Sequence, residues 1–449
     1  MRLNVLKLIN YDRPLLRTHE GAPAATITAE QALRRSVLAC MLWEKEFYQD
    51  GAEIAARIRS LVPQVAAEQV AALAVEARER MKLRHVPMLL VREMARHATH
   101  RVLVAETLQR VIQRADELTE FLAIYWAEGR QPLSAQVKRG LAAAFVKFDE
   151  YALAKYDRAG AVRLRDVLFL SHARPVDAAQ AVLWKRLVQN ELVTPDTWEV
   201  ALSTAGRANG ISKREVWERL LAERRLGPLA LLRNLRNMHD ASVREDLVLA
   251  ALAGMKTERV LPFRFLAAAR KAPQWEEALE LAMFRSLDGG ADELTGHTVL
   301  LVDVSGSMND PLSRRSEMKR TDAAYGLAIL LREIAKRVTI YTFSNKAERV
   351  PARRGLALRD ALDQSQAHQA TYLGLALDRV ERECSRYDRI VVITDEQAHD
   401  AVPAPRGRGY MINVASNRNG VGYGPWTHID GFSEAVVEYI GELEAAGRH

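Results

Sequence analysis

Two periodicities divide this sequence, and the point where one gives way to the other sets its architecture. From about Thr28 to Arg285, apolar residues return every three or four positions among Ala, Leu, Glu and Arg, which is the pattern of amphipathic helices. After Leu287-Asp288-Gly289-Gly290, short β-branched runs alternate with helical stretches. The runs are HTVLLVDVS (297–305), VTIYTFS (338–344), RIVVITDE (389–396) and GYMINVA (409–415), and between them lie stretches such as DAAYGLAILLREIAKR and TYLGLALDRVEREC. Apolar strands joined through crossover helices predict a parallel, doubly wound α/β sheet covered on both faces, with ligands at the carboxyl ends of its strands. A multidomain chain is expected: an all-α part over 1–290 and an α/β part over 296–449. At 449 residues the chain is too long for a single core.

Within the helical part, LAAAFVKFDEYALAKY places Leu141, Phe145, Phe148 and Ala152 on one stripe, leaving Lys147 near its edge. Polar or proline-bearing joints fall around Pro63, Pro87, Pro132, Pro175, Pro195, Pro228 and Pro262. The intervals Pro132 to Pro175 (43 residues) and Pro228 to Pro262 (34 residues) have the length of helical-pair repeats, although no repeated motif is present. A degenerate α-solenoid is therefore expected rather than a bundle.

Composition removes whole classes of protein. With 48% hydrophobic and 27% charged residues, the chain is neither disordered nor collagenous. The two cysteines, Cys40 and Cys384, have no C-x-x-C spacing, so no disulfide framework or zinc ribbon is written here. The start, MRLNVLKLINYDRPLL, lacks the apolar core of a signal peptide, and no run of 18 apolar residues occurs. A cytoplasmic protein without a membrane span is expected. Charge is uneven along the chain. Residues 1–300 hold 44 Lys and Arg against 37 Asp and Glu, an excess of +7, whereas residues 301–449 hold 20 of each. A basic half beside a neutral one suits a polyanionic partner, although solvated helix faces rich in Arg give the same sum.

The first strand of the α/β part ends in Asp303-Val304-Ser305-Gly306-Ser307. Alternate residues of an extended segment point the same way, so this D-x-S-x-S triplet converges one carboxylate and two hydroxyls. Thr371 opens a helix after a loop, and Asp395 ends a further strand at ITDE. Five oxygen donors of low total charge from three loops suit Mg²⁺, or another hard divalent cation. These residues resemble a von Willebrand factor A domain. The resemblance implies that Asp303, Ser305, Ser307, Thr371 and Asp395 form a metal-ion-dependent adhesion site, which binds a partner's acidic group and does not cleave it. No G-x-x-x-x-G-K-[ST], G-x-S-x-G or H-E-x-x-H is present to suggest a nuclease or hydrolase, so no enzyme is expected. His399, and the pair His97 and His100, lack a visible third ligand.

The helical part resembles the TROVE, or Ro autoantigen, family in several stretches. They are Leu226–Leu235 (LGPLALLRNL), Asp166–Pro175 (DVLFLSHARP), Val260–Phe263 (VLPF) and, near the end, Gly431-Phe432 followed by VVEYI. The family's glycine-rich G-S-E-G-G-x-Y-Y pattern is replaced here by WEKEFYQDG. The resemblance implies HEAT-like helical repeats closed into a ring. It further implies that small structured non-coding Y RNA binds the outer basic surface and 3′ ends of misfolded RNA enter a central hole, in RNA quality control. In bacterial members the RNA tethers an exoribonuclease such as polynucleotide phosphorylase. The family's RNA-contacting Lys and His match Lys155 and His172, with Lys138, Arg139, Arg158, Arg163, Arg165 and Arg174 around them. Arg233 suits either a buried ion pair or a hole-facing role. A monomer is expected, and a metal-dependent protein-binding scaffold without RNA is the rival reading.

Overall fold

The computed structural model describes residues 17–18, 21–24, 27–39, 51–79, 83–157, 160–193, 197–205, 212–257, 260, 262–287, 294–311, 318–415, 420–422, 424–430, 440 and 444. Arg158, Pro195, Gly431-Phe432 and the WEKEFYQD stretch lie outside them.

The first ten helices are α1 (Ala29–Ala39), α2 (Gly51–Leu61), α3 (Ala67–Glu79), α4 (His85–Arg96), α5 (Val104–Val111), α6 (Ala115–Tyr125), α7 (Ala135–Phe145), α8 (Glu150–Tyr156), α9 (Leu164–Ser171) and α10 (Ala178–Gln189). They bury one continuous apolar core running from Leu33 to Leu187. Six more follow: α11 (Trp198–Thr204), α12 (Lys213–Ala222), α13 (Pro228–Asp240), α14 (Glu245–Gly254), α15 (Pro262–Lys271) and α16 (Glu276–Leu287). Leu141, Phe145 and Phe148 are buried as the stripe predicts. The run is nevertheless two helices, because the Asp149 carboxylate accepts the Ala152 N–H (2.8 Å) and so caps a new start at α8. The interval from Pro132 to Pro175 therefore holds three helices, while Pro228 to Pro262 holds the expected two. Several prolines open helices rather than fill joints. Pro228 and Pro262 begin α13 and α15, where a missing N–H costs nothing.

The sheet runs β1 (Leu294–Asp303), β2 (Ala335–Phe343), β3 (Ala347–Val350), β4 (Arg389–Thr394), β5 (Arg408–Asn413) and β6 (Thr427–Asp430), with helices α17 (Arg320–Ile334), α18 (Gly355–Asp363) and α19 (Leu373–Glu383). Its order is β3-β2-β1-β4-β5-β6, parallel throughout except for the β2–β3 pair. The four expected strands are present. The short edge strands β3 and β6 and the helix α18 are additions. Alternation is strict: Val299, Leu301, Ile390 and Val392 pack with α19 on one face, while Leu300, Val302, Val391 and Ile393 pack with α17 on the other. Strand order reverses direction between β1 and β4, which opens a crevice at their carboxyl ends.

Apolar packing does not divide where the periodicity changes. Buried residues from Ala201 to Met283 and the α17 face of the sheet form one cluster. Gly326 of α17 lets the two helices approach closely, since a Cβ there would lie 3.1 Å from the Cβ of Phe263 on α15 and push it back. Arg270 of α15 grips the buried Asp322 of α17 with both terminal nitrogens. At the other end of the chain, the Thr18 hydroxyl donates to the Ala398 carbonyl (3.0 Å) and Arg35 of α1 reaches Glu396. Both ends of the helical part thus meet the sheet domain.

Candidate cation and nucleic-acid sites

The crevice collects the sequence-predicted cation ligands. Asp303 ends β1 and Asp395 follows β4, both fully buried. The Ser305 N–H donates to Asp303 Oδ1 (2.8 Å), and the Ser305 and Ser307 hydroxyls lie 3.3 Å apart. The Ser307 hydroxyl donates to Asp395 Oδ2 (2.7 Å), while the Thr394 hydroxyl donates to Asp303 Oδ2 (2.6 Å). Thr371, buried, arrives on a loop tied to this turn by the Gly306 N–H donating to the Gln369 carbonyl (2.7 Å). The helix behind it is capped from afar, because Asp400 accepts the N–H groups of Gly374 and Leu375.

Charge at this edge is only partly balanced. Burial, and then the neighbouring Asp395, push the Asp303 carboxyl up to about 7. One positive group is built in: Arg320, at the start of α17, is 1% exposed and donates from Nη1 to Asp395 Oδ2 at 2.9 Å. Its backbone N–H donates to the Asp310 carbonyl (3.0 Å), so it also straps the loop after the D-x-S-x-S turn. Among the described residues no three His, Cys, Asp or Glu are grouped to hold a metal. A cation here would draw on two carboxylates plus hydroxyls. That donor set, acidic but under-neutralised, fits a hard divalent ion.

Immediately after Asp395, Glu396 adopts a left-handed backbone (φ 61°), which side chains resist. Three groups hold its buried carboxylate there: Arg35 Nη1 (2.8 Å), His428 Nδ1 (2.7 Å) and the Gly422 N–H (3.2 Å). Burial alone would raise its pKa. Arg35 and then His428 outweigh it and hold the group at about 2.

The expected RNA contacts separate into two sets. Lys138 on α7 and His172 meet, Nζ to Nε2 at 3.4 Å, with His172 left-handed (φ 54°) as the residue that terminates α9. Arg139 and Arg174 are exposed. Lys155, in the last turn of α8, holds its ammonium 5.8 and 5.7 Å from the rings of Tyr151 and Tyr156. Arg163 has close partners within the fold, whereas the partly exposed side chain of Arg165 has only a distant one. Arg163 donates to Asp157 (3.0 Å) and Asn190 (2.7 Å) at the start of α9, and Arg165 lies 4.0 Å from Asp166. Lys147 donates to the carbonyls of Gln109 and Ile112, closing the end of α5. His100 bonds Val65 and Thr99 with its two ring nitrogens, which makes it a packing residue.

Facing α13 and α15 enclose a cavity of about 560 Å³ lined by Arg233, Arg236, Arg264 and Lys271, floored by Leu232 and Ala268, with no acidic residue in its walls. The spacing of Arg233 with Arg236, and of Arg264 with Lys271, puts each pair on one helix face. The sequence carries that signal, but not the pairing of the two helices.

A six-stranded, mostly parallel sheet wound on both faces, with D-x-S-x-S at its carboxyl edge, follows a helical array and defines a two-part, helical then α/β, architecture. Residues 298–397 match the family model of the von Willebrand factor type A domain, and residues 185–287 match that of the TROVE domain. The chain thus carries a TROVE segment followed by a von Willebrand factor type A segment. Among solved structures it is similar to the Ro (RSR) protein of Deinococcus radiodurans, at 18% identity and TM-score 0.61, over 90% of this chain and 97% of that one. At that identity the likeness is one of fold. No curated protein matches the chain. No helix among the described residues is long and apolar enough to cross a membrane.

Proposed function

We propose that this chain is an RNA-binding protein of the Ro kind, with small structured RNA held on the basic surface around Lys138, Arg139, Lys155, His172 and Arg174. Single-stranded 3′ ends of misfolded RNA enter between the helices, and an exoribonuclease works on RNA presented in this way. The observation that carries the reading is the acid-free cavity with four cationic walls, which lies in helices matched to the TROVE domain. Arg233 and Arg264 repel one another across this cavity, Arg236 lies 3.8 Å from Asp240 at its margin, and a positive lining of this kind attracts a phosphodiester chain. At the sheet edge, Asp303, Ser305, Ser307, Thr371 and Asp395 would hold Mg²⁺. The ion would supply a Lewis-acidic position for an acidic group of a partner, and the chain's own residues keep that edge buried and oriented.

Fluorescence anisotropy with a labelled structured RNA tests this. Affinity is expected to fall steeply as salt rises from about 50 to 200 mM, because each neutralised phosphate releases counterion. Lys155→Ala and His172→Ala should each weaken binding by about 1–3 kcal/mol, and the Arg233→Ala/Arg236→Ala pair should flatten the salt slope by about 2. Salt-independent binding, or an acidic protein copurifying in place of nucleic acid, would leave the scaffold reading standing instead.

A further inference from the structure

Next to the Lys138–His172 contact, the segment after α6, the start of α7 and the end of α9 enclose a cavity of about 480 Å³ whose walls include Trp126, Arg130, Lys138, Phe169 and His172. Its volume lies within the range of small-molecule pockets, roughly 300–1,000 Å³. Its cations are Arg130 and Lys138, and no acid lines it. The Arg130 guanidinium lies 5.0 Å from the centre of the Trp126 ring, and that indole is anchored at its edge by donating to the Gln131 carbonyl (2.7 Å).

Phe169 is the unusual member. Its helix buries Leu164, Val167, Leu168 and Ser171, so α9 already has its core face, yet the Phe169 ring stands outside that face and is 60% exposed. The ring also borders a second cavity, of about 470 Å³, together with Pro175, Trp184 and Lys185, and no acid lines that one either. A large aromatic ring standing in water between two acid-free, cation-bearing hollows matches the arrangement that receives successive unstacked bases.

We propose that this cavity accepts one unstacked nucleotide of a single-stranded RNA segment, its base against Phe169 and its phosphate toward Arg130 and Lys138. The inference rests on the RNA-binding reading above and gives it a base-stacking subsite. An acidic peptide would use the cations but has no flat face for Phe169. An apolar helix would use the ring but would strand two cations. A nucleotide uses both. The left-handed turn at His172 sets the imidazole beside Lys138 at the margin of the same hollow, so a structured RNA held there can place a looped-out base inside.

The test is titration of a single-stranded RNA hexamer carrying one 2-aminopurine, with the full chain. For the parent, probe fluorescence is expected to fall on binding as the base stacks. Phe169→Ala should weaken binding about 5- to 100-fold and abolish the quenching, and Phe169→Trp should restore both. Because the ring is exposed, thermal unfolding of Phe169→Ala provides the folding control. Equal affinity and equal quenching in parent and Phe169→Ala overturn the subsite and leave the RNA reading intact. A parent that binds neither the hexamer nor a structured RNA overturns both.

Discussion

Replacing Arg320 by Met is expected to lower the stability of the sheet domain by about 3–5 kcal/mol, the usual cost of leaving one charge of a buried pair uncompensated. Met keeps most of the volume and removes the charge. Asp395 would retain the Ser307 hydroxyl on Oδ2 and the Gln397 N–H on Oδ1 (3.1 Å) but lose the buried Arg320 guanidinium from Oδ2. The loop after Ser307 would also lose the salt link from Arg320 Nη2 to Asp310 (3.8 Å). At roughly 2–4 °C per kcal/mol for a unit of this size, calorimetry should show a drop of roughly 6–20 °C. Mg²⁺ should recover more of that loss in the variant than it adds to the parent. Pairing the change with Asp395→Asn should cost much less than the sum of the two, because no charge is then stranded. An unchanged melting point for Arg320→Met would show that Asp395 is neutral or otherwise balanced.

The second large effect concerns Glu396. Glu396→Gln, or Arg35→Met, should destabilise the chain by about 3–5 kcal/mol at neutral pH, since each breaks a buried pair whose members are 2% and 0% exposed. The pH dependence has a fixed sign. Glu396 is held at about 2, below the ordinary carboxylate value of about 4.5, so its contribution is present in full above about 4.5 and disappears as pH falls toward 2. Urea unfolding of parent and Glu396→Gln should therefore differ most near pH 7 and converge on acidification. A gap that stays constant across that window would assign the loss to packing rather than to charge.

The division between local and distant partners decides what could be read from the sequence. The helical and sheet grammars, the four longer strands and the D-x-S-x-S turn are short-range patterns, and the structure places Asp303, Ser305, Ser307 and Asp395 in one hydrogen-bonded group. The strands β3 and β6 are four residues each, too short to show a period, and α18 starts at Gly355 without a side-chain cap to announce it. Arg320 and Arg35 could not be assigned, because their carboxylate partners lie 75 and 361 residues away. Arg163 and Lys147 meet the same limit, since the sequence does not announce that Arg163 bonds Asn190, 27 residues on, or that Lys147 donates to the Gln109 and Ile112 carbonyls, 38 and 35 residues back.

The Phe263–Gly326 contact and the shared cluster from Ala201 through the sheet bear on how this molecule can be taken apart. Severed between Leu287 and Leu294, the sheet piece would lose the cover that α15 and α16 give to α17 and α18, and the last six helices would lose the other half of their interior. A fragment meant to keep this shared interior must begin ahead of α11, about a hundred residues upstream of the change in sequence pattern, and it would still give up the Thr18 and Arg35 contacts to Ala398 and Glu396.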